Sequence, residues 1–356
     1  MICCAAVLVI GAVSAAAQTP AQVLEVTIQP RQQDYGSTAP IVVEFIIKNT
    51  SNAPVRILSW HTPLDGVTED FLRVVRGSQV VPYIGPIVKR LPPTARDYVT
   101  IAPGASLTAT VDLGENYGIQ EPGPYSVAYN VDARALMGPS AGATRGVRSG
   151  PLLEVRSNAA AFQVTAARAL APGLRSARAP SQFEQCNDTQ QAELKVAIPE
   201  AANLALSAVN ALKEVPAAKR SRSKRYTAWF GEYTDARYTR ILGQFQKIHD
   251  AIANKSVSFH CAGDRCKDTI FAYVFAGQPY RVHVCGKFWT AALNGTDSRS
   301  GTILHEVSHF SVVAGTDDHQ YGHNNSKELA KEDPEKAASN ADSHEYFAEN
   351  TPNLTM

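Results

Sequence analysis

Thr296–Gly322, TDSRSGTILHEVSHFSVVAGTDDHQYG, is the stretch on which the reading of the C-terminal half turns. Asp297 or Ser298 can cap a helix and Gly315 fits the place just past its end, so the spacing predicts a helix running to Ala314. Ile303, Val307, Phe310 and Ala314 share one face, which is predicted to be buried. His305 and His309 lie one turn apart on another face, so both imidazoles can reach one metal ion. Glu306 points slightly aside and can take a proton from a metal-activated water without ligating the metal itself. A catalytic zinc needs a third protein ligand and an open fourth position. Val312 and Gly315 stand where the pattern HExxHxxGxxH would place its glycine and third histidine. The candidates left are Asp317 and Asp318, behind the Gly315-Thr316 turn, and Glu345 or Glu349 further along; spacing does not choose among them.

Outward from this segment the chain divides in texture. Its 356 residues are enough for two domains. The net charge of +1 gives no reason to expect nucleic acid or a membrane surface as partner. Residues 1–17 read as a secretory signal: an apolar run from Ile2 to Val13, then small residues at Ala15, Ala16 and Ala17. The product is expected to be secreted. Four cysteines follow the signal, Cys186, Cys261, Cys266 and Cys285, and an even count in an exported chain predicts two disulfides, for which three pairings exist.

Between residues 18 and 165 short β-branched runs alternate with turn clusters such as Ser51-Asn52-Ala53-Pro54 and Ala102-Pro103-Gly104. Seven runs are predicted strands: Val23–Ile28, Ile41–Ile47, Val55–Leu58, Phe71–Val75, Tyr98–Ile101, Leu107–Leu113 and Tyr125–Val131. Their spacing predicts an all-β antiparallel sandwich, Ig-like. His61 is expected to be structural. Residues 166–181, rich in Ala, Arg and Pro, read as an exposed linker and a place for processing. From 182 to 356 an α-rich α+β domain is expected. It has helices over Asp188–Leu212 and Asp235–Asn254 and a hairpin of Ile270–Phe275 with Tyr280–Val284.

The pair HEVSH and GTDDHQYG resembles the signature of the deuterolysin, or aspzincin, zinc metalloendopeptidases. The resemblance implies a zincin-like domain with one catalytic zinc held by His305, His309 and Asp318. It further implies Glu306 as general base and Tyr321 as a donor to the oxyanion, and leaves His319 and His323 without a role. Within the family the chain is most similar to the peptidyl-Lys metalloendopeptidases, through RYTAWFGEY (Arg225–Tyr233), FAYVF (Phe271–Phe275), VCGKFW (Val284–Trp289) and NADSHEYFAEN (Asn340–Asn350). That likeness implies Asp342 and Glu345 as the groups that bind a substrate lysine just after the cut. It also implies the pairings Cys186–Cys261 and Cys266–Cys285.

The first half is similar to the pro-region of bacterial members, through LSWHTPLDG (Leu58–Gly66) and PGPYSVAYNV (Pro122–Val131). The implied partners are therefore protein or peptide substrates and the chain's own pro-domain, which would act as chaperone and inhibitor. With no cysteine left in that half, a cysteine switch is excluded, and a lysine such as Lys89 is a candidate to fill the acidic pocket as a substrate mimic. The alternatives are an aspzincin of broad specificity and a non-catalytic secreted zinc-binding protein. An intact Glu306 and Tyr321 argue against the second, because a structural site needs neither.

Overall fold

The computed structural model describes residues 23–137, 154–169 and 182–356. The signal-like segment and most of the linker lie outside the described residues. In the first half, alternation of apolar and polar side chains makes strands with one buried face. β1 (Leu24–Pro30) buries Leu24, Val26 and Ile28, and β3 (Val42–Asn49) buries Val43, Phe45 and Ile47. They pair antiparallel with Val26 opposite Ile47, and β9 (Ser106–Asp112) continues the sheet beyond β3.

A second sheet has the order β2 (Asp34–Tyr35), β12 (Ala160–Val164), β10 (Gly123–Asp132), β5 (Leu72–Arg76) and β6 (Gln79–Val80), with β11 (Glu154–Arg156) also on β10. Only its β2–β12 pair is parallel. β4 (Val55–Leu58) pairs separately with β8 (Tyr98–Ile101). All seven runs expected as strands fall on strands. The described first half is β-rich, with largely antiparallel pairing and its own apolar core.

The second half packs helices on one side of a mixed sheet whose strand order is β13 (Phe183–Glu184), β14 (Ser258–His260), β16 (Arg281–Val284), β15 (Ile270–Phe275) and β7 (Pro86–Arg90). The long helix Asp188–Glu214 starts at a capping box, Asn187 with Gln190. Its buried face is small, with Ala197, Ala201, Ala205 and Ala208, which lets it lie close against the helix that carries HEVSH. The helix Asp235–Asn254, capped by Thr234, packs on it. Disulfides join Cys186 to Cys261 and Cys266 to Cys285.

Two elements depart from the sequence reading. The strand Pro86–Arg90 was not among the expected runs, and it does not join the sheets of its own half. It pairs antiparallel with the edge strand β15 of the second half, Lys89 opposite Ala272 and Val88 opposite Tyr273. The motif helix spans Arg299–His309 and stops short of Ala314. The physical reason is the return of the chain: Gly315, at φ +59°, donates its N–H to the Phe310 carbonyl, and the Thr316 N–H reaches Ser308. A longer helix would carry Thr316 and the acids behind it away from His309.

Candidate active site

The motif helix is anchored at its start by a carboxylate from the last helix, Ala341–Glu349. Ser298 caps it, accepting from the Gly301 N–H at 2.8 Å, and the Ser298 hydroxyl and N–H both donate to Glu349 Oε1. Burial pushes the Glu349 carboxyl up to about 9. Every side chain from Ser300 to His309 is buried, so His305, Glu306 and His309 are fixed in a water-poor environment.

Both histidines are oriented through Nδ1. His309 Nδ1 lies 2.8 Å from the Thr316 carbonyl, which only accepts, so Nδ1 carries the hydrogen and Nε2 keeps its lone pair. His305 Nδ1 stands 3.1 Å from both Asp342 Oδ1 and Glu345 Oε2, which fixes its tautomer in the same sense. Behind the Gly315 turn, Asp317 makes a parallel backbone bridge to Asn340, donating to the Ser339 carbonyl and accepting from the Ala341 N–H. That bridge turns Asp318 back toward the helix. Asp318 Oδ2 lies 3.1 Å from the Tyr321 hydroxyl oxygen, while Oδ1 lies 3.1 Å from His305 Nε2 and 3.6 Å from His309 Nε2.

These three inward atoms, His305 Nε2, His309 Nε2 and Asp318 Oδ1, are buried without a hydrogen-bond partner and converge on one point. Ligands about 2.0–2.2 Å from a tetrahedral ion stand roughly 3.3–3.5 Å apart, so two nitrogens and one oxygen at these separations suit zinc. Both Glu306 oxygens are likewise buried and unpartnered beside them, and burial raises that carboxyl to about 8. A divalent cation alongside favours its ionised form. His305, Asp342 and Glu345 also cluster closely enough to hold an ion, but their centre is taken by an ammonium.

That ammonium belongs to Lys89. Its Nζ lies 2.6 Å from Glu345 Oε2, 3.5 Å from Asp342 Oδ1 and 3.4 Å from Asp297 Oδ1, and 5.0 Å from the centre of the Phe271 ring. Burial alone would lower a lysine; Asp342, Glu345 and Asp297 outweigh it and hold the charge well above the usual lysine range. One residue earlier, the Val88 carbonyl accepts from the Tyr321 hydroxyl at 2.9 Å. Gly322, at φ +83°, donates its N–H to Asp342 Oδ2 at 2.6 Å, and a Cβ there would meet the Pro92 ring at 2.5 Å.

A family model described as lysine-specific metallo-endopeptidase, the aspzincin domain, matches residues 215–349. An extracellular protease of Aeromonas hydrophila is 39% identical over 327 residues, covering 89% of this chain and 90% of that protein. The chain belongs to the aspzincin metalloendopeptidases. A peptidyl-Lys metalloendopeptidase of Pleurotus ostreatus is 41% identical over 173 residues, 48% of this chain and 98% of that protein. A zinc peptidase from Grifola frondosa, known as a structure, is 38% identical with a TM-score of 0.44, over 48% of this chain and all of that one. Among the described residues no helix is long and apolar enough to cross a membrane.

In this aspzincin the structure brings His305, Glu306, His309, Asp318, Tyr321, Asp342 and Glu345 into one buried cluster. Of the other acids considered as ligands, Asp317 is exposed and Glu349 is occupied by Ser298. His319 bonds Ser339 and His323 packs on Trp229 and Tyr346, outside the cluster. His61 pairs with Glu69 in the first half. The residue that sequence reasoning missed is Asp297, read only as a cap. It holds φ at +52°, accepts from the Tyr346 hydroxyl at 2.8 Å and turns its carboxylate to Lys89. Its signal in the sequence was slight: an acid directly before a serine that caps the helix without it.

Proposed function

We propose that the chain is the latent, secreted precursor of a zinc endopeptidase that cuts on the N-terminal side of lysine. In this reading residues 1–17 are the signal, 18–165 the inhibitory and chaperoning pro-domain, 166–181 the linker removed on maturation, and 182–356 the enzyme. The observation that carries it is the seat of Lys89. A lysine ammonium fills a pocket of three carboxylates while the carbonyl just before it meets the Tyr321 hydroxyl. Substrate lysine would take the same place once the pro-domain strand has left.

His305, His309 and Asp318 hold the zinc, which when bound polarises the substrate carbonyl and brings the pKa of a water near it down to about 7. Glu306 accepts the proton of the attacking water and delivers it to the leaving nitrogen. Tyr321 donates to the carbonyl oxygen as negative charge develops there, in a setting from which water is largely excluded. Asp342 and Glu345 select a long cation because leaving them buried and unpaired costs several kcal/mol, roughly, in any complex with an apolar side chain.

The test is a digest of denatured protein by the processed enzyme, with and without a zinc chelator, read by mass spectrometry. Chelator-sensitive fragments beginning with lysine are expected. Mixed first residues would remove the lysine pocket and leave a broad protease. A Glu306→Ala enzyme that binds zinc and still cuts would remove the assignment of the base.

A further inference from the structure

We propose that the Val88–Lys89 peptide bond is itself a processing site, hydrolysed within the same molecule by the active site it occupies. The proposal rests on the lysine-directed reading above and goes beyond it, since that reading places the maturation cut in the linker and treats Lys89 only as a plug.

Four observations carry it. The strand β7 is extended and lies in register along β15, with Ile87 opposite Val274, Val88 opposite Tyr273 and Lys89 opposite Ala272, and it packs on the motif helix. Here the Val88 carbonyl accepts from Tyr321 at 2.9 Å and the next side chain fills the lysine pocket, so the order of groups is the one that hydrolysis before lysine requires. The inward atoms of His305, His309, Asp318 and Glu306 remain unpartnered, so the plug leaves the reacting groups free. Finally, Val88 and Lys89 are both 0% exposed. No second molecule can reach this bond while the strand is seated, and a cut here is intramolecular.

The step is a simple hydrolysis. Water adds to the Val88 carbonyl carbon, Glu306 carries one of its protons to the Lys89 nitrogen as the C–N bond breaks, and the second passes from the new carboxyl to the same nitrogen. The products are a Val88 carboxylate and a Lys89 α-ammonium. The strand is then divided into Pro86–Val88 and Lys89–Arg90. Each product end keeps only two or three residues of the ladder along β15 and is no longer tied to the other, so each can leave independently. Hydrolysis thus turns a tight plug into two short, poorly held ends, and the pro-domain loosens from the edge of β15.

The experiment follows the purified full chain after addition of zinc, by intact mass and by labelling of new N-termini. A terminus beginning at Lys89 is expected, formed at a rate unchanged by about a hundredfold dilution, as an intramolecular step requires. It should be absent in Glu306→Ala and in Lys89→Ala. A readout independent of activity accompanies it: amide exchange of Ile270–Phe275 rises as the Lys89 terminus appears and stays low in Glu306→Ala. The proposal is overturned if the chain matures while every pro-domain fragment still contains an intact Val88–Lys89 bond, or if the Lys89 terminus forms only in proportion to protein concentration. A synthetic peptide Ile84–Thr94 given to the processed enzyme separates the two readings. A peptide cut before Lys89 beside an intact bond in the chain sinks self-processing alone, whereas a peptide left whole sinks the lysine reading as well.

Discussion

Replacing Lys89 with Met in a Glu306→Ala background isolates what the pocket contributes to holding β7, with no hydrolysis to complicate it. The ammonium sits 2.6 Å from Glu345, with Asp342 at 3.5 Å and Asp297 at 3.4 Å, and Asp342 and Glu345 have no solvent exposure. Methionine retains most of the stem's packing, so the loss is electrostatic. Removing one partner of a buried ion pair costs about 3–5 kcal/mol, because the other charges stay buried without it. At about 1.4 kcal/mol per tenfold, opening of the β7–β15 ladder should become roughly 10²- to 4 × 10³-fold more frequent. Native-state amide exchange of Ile270–Phe275 and Pro86–Arg90 at neutral pH measures this directly. A change below about fivefold would refute the reasoning. The strand would then be held by its backbone ladder, and the carboxylates would contribute specificity without grip.

Three further predictions come from single positions. Asp297→Asn in the processed enzyme should raise KM for lysine substrates about five- to tenfold with kcat little changed, as expected for one charged contact of about 1 kcal/mol; equal losses in both would place Asp297 in the chemical step. Gly301→Ala should lower Tm although alanine favours a helix by about 1 kcal/mol, because its Cβ would lie 2.1 Å from Glu349 Oε1 and 2.9 Å from Glu345 Oε1; a higher Tm would mean those carboxyls move aside freely. Burial raises Asp70 from 3.8 to about 6, against the hydrogen bond from Tyr117. The folded state therefore holds this proton more tightly than the unfolded one, and the stability it contributes below pH 3.8 is lost as pH rises through 6. Urea melts of Asp70→Asn should lack that loss, of order 3 kcal/mol; an unchanged pH slope would assign it to other groups.

The zinc-site geometry was legible because it is local. His305, Glu306 and His309 are fixed by helical spacing, whereas spacing left Asp317, Asp318, Glu345 and Glu349 open as third ligand, and Asp318 and Tyr321 came only from the resemblance of GTDDHQYG to the family signature. Spacing put Asp342 and Glu345 on one face of the last helix, but their role as a pair came from the likeness of NADSHEYFAEN to the lysine-specific relatives. What the sequence concealed depends on distant partners. Pro86-Ile87-Val88-Lys89-Arg90 shows no alternation and carries two charges, which argues against a buried strand, yet all five residues are buried. Glu345, Asp342 and Asp297, all distant in sequence, pair with Lys89, and Trp60 and Thr68 meet Arg90, which makes that burial tolerable. Lys89 could be named from its residue type but not given a conformation, since its backbone pairing lies with β15 in the other half. The helix end was misjudged because Ser311 to Ala314 continue a helical pattern that the return of Thr316 to His309 overrides.

On the lysine-directed reading proposed above, the seat of β7 along β15 also bears on which lysines can be attacked. A substrate seated as β7 is would have to add its backbone as a fifth strand, paired as Pro86 to Arg90 are. A lysine within a helix, or in a strand already paired on both sides, has to be released over several residues first, at about 1–2 kcal/mol of ordering per residue when the freed chain is fixed again. Selection among native proteins therefore follows local unfolding as much as the abundance of lysine. Loosely folded or damaged targets, and lysines in mobile tails, will be cut long before stable domains richer in them.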